Sequence, residues 1–433
     1  MACHQSRRRL LSLTAAGIAS APWNKGLALT AEARRSTQTD RLAWGAELAG
    51  SDDNRVAAHT AILSDQPPSG VLALIAKDSE IERIDQARLK AFVSWIPPGL
   101  SSLVSRYKNF YLRLYPSRRP VFFPAGAPYG LADPVFLRHP GLSEQVRNNP
   151  IARHLWRHTG GSMVRISRNL PVQPLGQTYI LTTRTQRFYA SHLRGAVPGL
   201  FFAAKIQYLG PAALQGDQVL VHEFLPDQDR TRAAWIYNAG QRRVRRAPDL
   251  AYDAVADGSE GLFTADQVDG FNGALDRFEW QSLGKKALIV PYNWYGLSGP
   301  WSADDLRRRV VGAGVLNADL LRFEWHRVWV VQAILKPGQS HIYSRRVFYV
   351  DEDSATVLVE ECYSSRGELW RVSLHGLIQD PEGQTPVTRA SVYHDLTSGR
   401  YFAAGFDAES GPSMIVGKQA EMNNFTTDSL RRN

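Results

Sequence analysis

Residues 322 to 375, RFEWHRVWVVQAILKPGQSHIYSRRVFYVDEDSATVLVEECYSSRGELWRVSLH, restrict what this chain can fold into more than any other stretch. Four apolar runs, 323 to 335, 342 to 350, 356 to 363 and 368 to 375, are rich in β-branched and aromatic residues. Turn chemistry stands between them at Pro337-Gly338, Asp351 to Ser354 and Ser364 to Gly367, so the spacing predicts an antiparallel meander. In the first run, alternation sends Phe323, Trp325, Arg327, Trp329, Val331, Ala333 and Leu335 to one face. Glu324, His326, Val328, Val330, Gln332 and Ile334 go to the other. Both faces are substantially apolar. Such a sheet needs cover twice, by protein on one side and by protein or a ligand on the other.

Upstream, the strand pattern begins near Met163, with candidates at 163–168, 177–190, 199–208, 218–224, 232–237 and 241–246. Pro226-Asp227-Gln228-Asp229 and Asn238-Ala239-Gly240 read as turns between them. Residues 247 to 300 read as irregular. Beyond the central meander come strands at 387–394 and 400–406 and then a polar tail. The front of the chain reads as helical. Ser79-x-x-Glu82 predicts a capping box for a helix whose apolar stripe is Ile81, Ile84, Ala87, Ala91 and Phe92, stopped by Pro97-Pro98. A short helix follows at 100–110, and a third starts at Pro150 and ends at Gly160-Gly161. Gln66 to Gly70 reads as a loop. Without a linker-like stretch, 34–433 is expected to form one α+β unit, with 34–162 as lid and flank and 163–433 as the strand-rich part.

With 44% hydrophobic and 21% charged residues the chain can build a core, and it has no run long enough to be a membrane-spanning helix. Arg7-Arg8-Arg9 followed by Leu10 to Ala21 fits a signal peptide, and Ser6 to Leu11 resembles the twin-arginine export motif; Ala31-Glu32-Ala33 offers a cleavage point near residue 33. Cys362 would then be the sole cysteine of the mature chain, which leaves no internal disulfide. The net charge of +10 falls to +7 once the four basic and one acidic residue of positions 1–33 are removed. Its basic residues are scattered, and no nucleic-acid motif accompanies them.

Trp235, Trp325, Trp329 and Trp370 fall on predicted strands, as does Phe348. Together they suit the wall of an apolar site, and individually they suit ordinary core. Arg327, between Trp325 and Trp329, is paired, turned to a rim, or placed to meet an anionic headgroup. Arg242, Arg243, Arg245 and Arg246 read as a basic edge strand protected against aggregation. His154 and His158 are spaced to share a metal, but no carboxylate or cysteine accompanies them, and no metal or cofactor is expected. Asp351-Glu352-Asp353-Ser354 is read as a hairpin turn rather than a cation loop. No catalytic motif emerges. Gly296-Leu297-Ser298-Gly299 is not a nucleophile elbow, and nothing in the spacing selects a carboxylate pair from residues such as Glu279 and Glu324.

Several runs, GAELAG (45–50), YPSRRP (115–120), QRRVRRAPDLAYD (241–253), DGFNGALDRFEW (269–280), GKKALIVPYN (284–293), 326–354, RGELWRV (366–372) and HDLTSGRY (394–401), resemble the domain of unknown function 1329 family. That family consists of exported proteins related to the lipoprotein-sorting proteins LolA and LolB. The resemblance implies a curved, incomplete antiparallel β-barrel with helices plugging its concave face and a hydrophobic cavity between. It further implies a periplasmic, non-enzymatic carrier or chaperone for lipid or other hydrophobic molecules. The expected partners are an envelope transporter or outer-membrane protein. A periplasmic carbohydrate- or lipid-active hydrolase and an interaction scaffold with no ligand are the alternatives.

Overall fold

The computed structural model describes residues 46–59, 68–123, 148–225, 232–247, 252–380 apart from 257, 382–409 and 414–432, together with Glu144. The expected signal peptide and the Pro226–Asp229 turn lie outside the described residues. Thirteen strands form one continuous antiparallel ladder: β1 (Ser162–Val172), β2 (Leu181–Tyr189), β3 (Leu200–Gly210), β4 (Gln218–Phe224), β5 (Arg232–Asn238), β6 (Arg243–Arg246), β7 (Phe278–Pro291), β8 (Phe323–Leu335), β9 (Arg345–Asp351), β10 (Val357–Tyr363), β11 (Leu369–Asp380), β12 (Thr385–Asp395) and β13 (Tyr401–Ala408). The spatial order runs from β7 through β13, then from β1 through β6. Chain order is therefore kept everywhere except at one cut. The sheet is not closed: among the described residues the edge strands β6 and β7, neighbours in sequence, do not pair. Seven register shifts interrupt the ladder, and each such irregularity bends and twists its strand.

The two-faced reading of β8 is met by protein on both sides. Val328 and Val330 of β8, with Val347 and Tyr349 of β9, enter one core cluster, while Val331, Ala333, Phe348 and Val350 enter another. Helix α1 (Pro68–Lys77) precedes two shorter helices that supply the cover. On the first face lies α2 (Pro98–Arg106), whose Leu100, Leu103 and Val104 are buried against Leu358, Val372 and Leu374. Its approach is close. A Cβ on Gly99 would stand 2.9 Å from Val372, and the Gly99 N–H donates to Glu361 at 2.7 Å. On the second face lies α3 (Pro150–Trp156), capped by the Asn149 side chain and burying Ile151 among Val331 and Phe348. The helices thus divide between the two faces.

Several expectations need correction. The helix expected over 79–96 is absent: Glu82–Ile84 is a strand paired with Leu112–Leu114, and only Leu89–Phe92 is α-helical. Ile84 is buried by that pairing, Ile81 is 60% exposed, and the Asp85 carboxylate takes the Ala87 and Arg88 N–H groups, turning the chain where the helix would have continued. Helix α1 begins at Pro68, inside the expected loop. Within the supposedly irregular 247–300 lies the 14-residue β7. Its middle, from Gln281 to Gly284, is exposed and bulged, and this hides the alternation at its ends. The tail is not merely polar, because Met422, Phe425 and Leu430 pack on β2, β3 and β4.

Phe348, fully buried where the second face meets α3, is the most direct probe of this packing. Phe348→Ala should cost about 3–5 kcal/mol of unfolding free energy. Leu175→Ala, at a residue 80% exposed, should change stability by less than about 0.5 kcal/mol. Denaturant titration of both variants checks this, and equal stabilities would contradict the assigned packing.

Candidate functional site

The six aromatic and arginine candidates do not form one site. Trp235, on β5, joins the cluster under the C-terminal tail, with its ring 5.0 Å from that of His222. Trp325 packs edge-on to Trp95 at 5.8 Å, with the Arg55 guanidinium 4.9 Å from its ring. Trp370 donates from its indole N–H to Asp395 at 3.0 Å and stacks with Arg371. Only Trp329 and Phe348 belong to a common cluster, on the second face of β8 and β9.

Beside them is a groove of about 530 Å³, lined by Glu144, Asn148, Asn149, Pro150, Trp280, Ser282 and Val331. It lies between the start of α3 and strands β7 and β8. Pairing explains its floor: Ser282 faces Val331, Trp280 faces Ala333, and Val331 faces Phe348 across the ladder. The Trp280 indole donates to the Leu275 carbonyl at 2.7 Å, and its ring centroid lies 6.0 Å from that of Phe348. Its lining is mixed: Trp280, Val331 and Pro150 are apolar, while Glu144, Asn148, Asn149 and Ser282 are polar. Trp280 was not among the candidates expected from sequence. The alternation Phe278, Trp280 followed by Leu288, Val290 was the available signal, masked by the polar bulge between.

Arg327 lies farther along β8, with its guanidinium engaged inside the protein by Glu352 and the Ala49 carbonyl. It belongs to a buried ionic layer built on the 351–354 turn. The turn is a tight hairpin as expected: Ala355 N–H donates to the Asp351 carbonyl, and Ala355 adopts φ 55°. Its side chains, however, point inward, and all four residues from Asp351 to Ser354 are at most 4% exposed. Arg119 grips Asp353 through two hydrogen bonds, 2.7 and 2.6 Å long, and also reaches Glu352. Lys285 from β7 pairs with Glu352 at 3.0 Å while its ammonium lies 5.2 Å from the Trp329 ring centroid. The ionic layer therefore backs directly onto the aromatic wall. Sequence alone could not find Arg119, which lies more than 230 residues from its partner.

Other candidates resolve into structural roles. His154 accepts from the Val357 N–H and has its other ring nitrogen 2.8 Å from the Asp269 carbonyl. His158 packs against Phe123, so the two histidines do not converge on a common site. Glu279 sits opposite Ile334 and Val290 opposite Glu324, ten positions apart on β8. At ~3.3 Å per residue that is roughly 33 Å, far beyond the ~5–10 Å of a glycosidase pair. The basic strand β6 does stand at the edge of the sheet, with Arg243, Arg245 and Arg246 exposed. No helix among the described residues is long and apolar enough to cross a membrane.

The family model described as a protein of unknown function, DUF1329, matches residues 150–431. This chain belongs to the DUF1329 family. An uncharacterized protein of Pseudomonas aeruginosa is 32% identical over 436 residues, covering 94% of each chain. Among solved structures, a putative outer membrane lipoprotein-sorting protein domain from Vibrio parahaemolyticus is similar at 14% identity and TM-score 0.46, over 67% of this chain and all of that one. A DUF1329 family protein from Desulfovibrio piger is similar at 14% identity and TM-score 0.44, over 67% of this chain and 97% of that one. The groove and the acidic turn both fall inside the part of this DUF1329 chain that the family model covers, apart from the lip at Glu144 to Asn149.

Burial fixes a pH window for this structure. Loss of hydration pushes His59, His375 and His394 down to about 4 and His154 well below its ordinary range. A group whose folded pKa is depressed contributes stability in full above its unfolded value, and that contribution is lost as pH falls toward the folded value. Asp351, pushed up to about 6 by burial and by Asp353, acts in the opposite sense, as do Glu223, Glu361 and Asp380, each raised by burial, while His158, pushed down to about 4, adds to the imidazole side. The unfolding temperature should therefore stay level above pH 7 and fall steadily between pH 6.5 and 4. A thermal scan across this range that shows no fall would contradict the neutral, buried state of these imidazoles.

Proposed function

We propose that this chain is an exported periplasmic carrier for lipid or other hydrophobic molecules, holding its guest in the groove between the start of α3 and strands β7 and β8. The observation that carries this reading is the groove itself. Its volume falls within the ~300–1,000 Å³ of small-molecule sites, and it joins the apolar side chains of Trp280, Val331 and Pro150 to a few polar groups. Trp280, Val331 and Pro150 supply apolar surface, with Trp329 and Phe348 behind. Each methylene removed from water there contributes about 0.8 kcal/mol. Asn148, Asn149 and Ser282 line the same groove and suit the polar end of an amphiphile.

The layers on either face of β8 are filled by the protein's own side chains, so the guest sits at the sheet edge rather than in a sealed interior. Delivery fits this geometry: a site at an open edge loads and unloads without dismantling the core. An envelope transporter or outer-membrane protein is the partner class that such a carrier would serve. A sugar-cleaving role gains no support from carboxylates placed as Glu279 and Glu324 are.

Organic extracts of natively purified protein should contain lipid by mass spectrometry, and a fluorescent fatty acid should bind. Ser282→Trp, which fills the groove from an exposed position, should weaken that binding by at least ~10-fold, equivalent to about 1.4 kcal/mol. Trp235→Ala, in a separate cluster, should leave binding unchanged. Absence of lipid and of fatty-acid uptake would remove the reading, and an unaffected Ser282→Trp variant would move the guest elsewhere.

A further inference from the structure

Among the described residues, one carboxylate of the ionic layer makes no ion pair. Glu324 pairs with Arg322, Glu352 with Lys285 and Arg119, Asp353 with Arg119, and Asp78 with Arg118 and Arg322. Asp351 makes no ion pair among the described residues. Its Oδ2 accepts from the Tyr292 hydroxyl at 3.1 Å and from the Ser354 N–H and hydroxyl at 2.9 and 2.6 Å. Its Oδ1 is fully enclosed and accepts nothing, in a residue only 1% exposed. A buried carboxylate oxygen left bare carries the full loss of its hydration.

Asp351 does not stand alone. One ligand atom each from His326, Asp351 and Asp353 lie within 4.8 Å of one another, and all three residues are buried. His326 is held as a metal ligand needs to be. Its Nε2 lies 3.2 Å from Glu324 Oε2, and its ring stacks on Tyr292 with centroids 3.5 Å apart. Glu324 is itself fixed by the Arg118 N–H and the Asn293 amide at 2.7 and 2.8 Å. A carboxylate that accepts a hydrogen bond from Nε2–H leaves the lone pair on Nδ1, the outer-shell arrangement found behind metal-bound histidines. Arg119 and the buried His59 face the cluster from the Asp353 side.

We propose that His326, Asp351 and Asp353 bind a divalent metal ion of the zinc class, which ties the 351–354 turn to strand β8. One nitrogen and two carboxylate oxygens suit such an ion, with metal–ligand distances of about 2.0–2.2 Å. A tetrahedral ion holds its ligands about 3.4 Å apart, so the side chains draw inward by ~1 Å on loading. The ion supplies the positive charge that Asp351 lacks and engages its bare Oδ1. Because β8 and β9 also carry Trp329, Val331 and Phe348, loading stiffens the wall behind the groove. The ligands are buried, so the ion enters as the turn opens and exchanges slowly.

Chelator-stripped protein incubated with zinc chloride and then desalted should retain about one zinc per chain by elemental mass spectrometry, and its unfolding temperature should rise. Asp351→Asn and His326→Gln should each retain under about a fifth of that and lose the rise. Cobalt loaded into the unaltered protein should give visible absorption bands of a low-coordinate nitrogen–oxygen site, a readout independent of whether either variant folds. Wild-type protein that retains no zinc and shows no cobalt bands would overturn the proposal. Zinc retained equally by both variants would overturn it too, since the ion would then sit on other side chains. Fatty-acid binding by metal-free protein is unaffected by either result, so this test and that of the carrier reading fail separately.

Discussion

A strand that is apolar on both faces cannot be left half covered, and β8 imposes that condition on the rest of the molecule. The Val328 face is closed by α2 and the short strands Glu82–Ile84 and Leu112–Leu114, and the Val331 face by α3 and Phe271. Both covers come from segments far away in sequence or lacking strong periodicity of their own. Each is short, and α2 seats only because Gly99 lets its first turn lie directly on β10 and β11. Where the described helices are this brief, stability resides in the sheet and in what the helices bury, not in helix propensity.

The open ladder leaves two edges, and they are managed differently. Strand β6 is short, exposed and arginine-rich, a combination that discourages pairing with another chain. Strand β7 is long but is broken by a bulge between Ser282 and Lys285. Its two halves do different work: Trp280 and Ser282 line the groove, while Leu288 to Val290 join the main core. Lys285, at the break, links the aromatic wall to the buried ionic layer through Trp329 and Glu352. The feature that protects the edge also positions the proposed groove.

The strands were legible because period-two alternation and turn residues are local signals. Every strand of the 323–380 meander falls within a few residues of its expected place, and Val219-Leu220-Val221 at the centre of β4 alternates cleanly between two clusters. Strand β7 was lost because its middle is polar and contains Gly284. The 79–96 helix was wrongly expected because Ile81 and Ile84 are spaced for a helix while pairing with Leu112–Leu114 is not visible in a local window. The site was less legible than the fold. Trp329 and Phe348 stood out as candidates because aromatic strands are conspicuous. Trp280 and Asn149 join them only through tertiary arrangement, and the inward turn of Asp351 and Asp353 depends on Arg119, which no spacing rule connects to them.

Hydrogen–deuterium exchange measured with and without a bound fatty acid tests most directly the claim that the guest lies at the sheet edge, outside a core already filled. The account predicts added protection confined to 148–156, 278–291 and 323–335, with α2 and the β10–β11 pair unchanged. Protection appearing instead across 98–106 and 357–380 would place the guest inside the layer that α2 covers, and would contradict it.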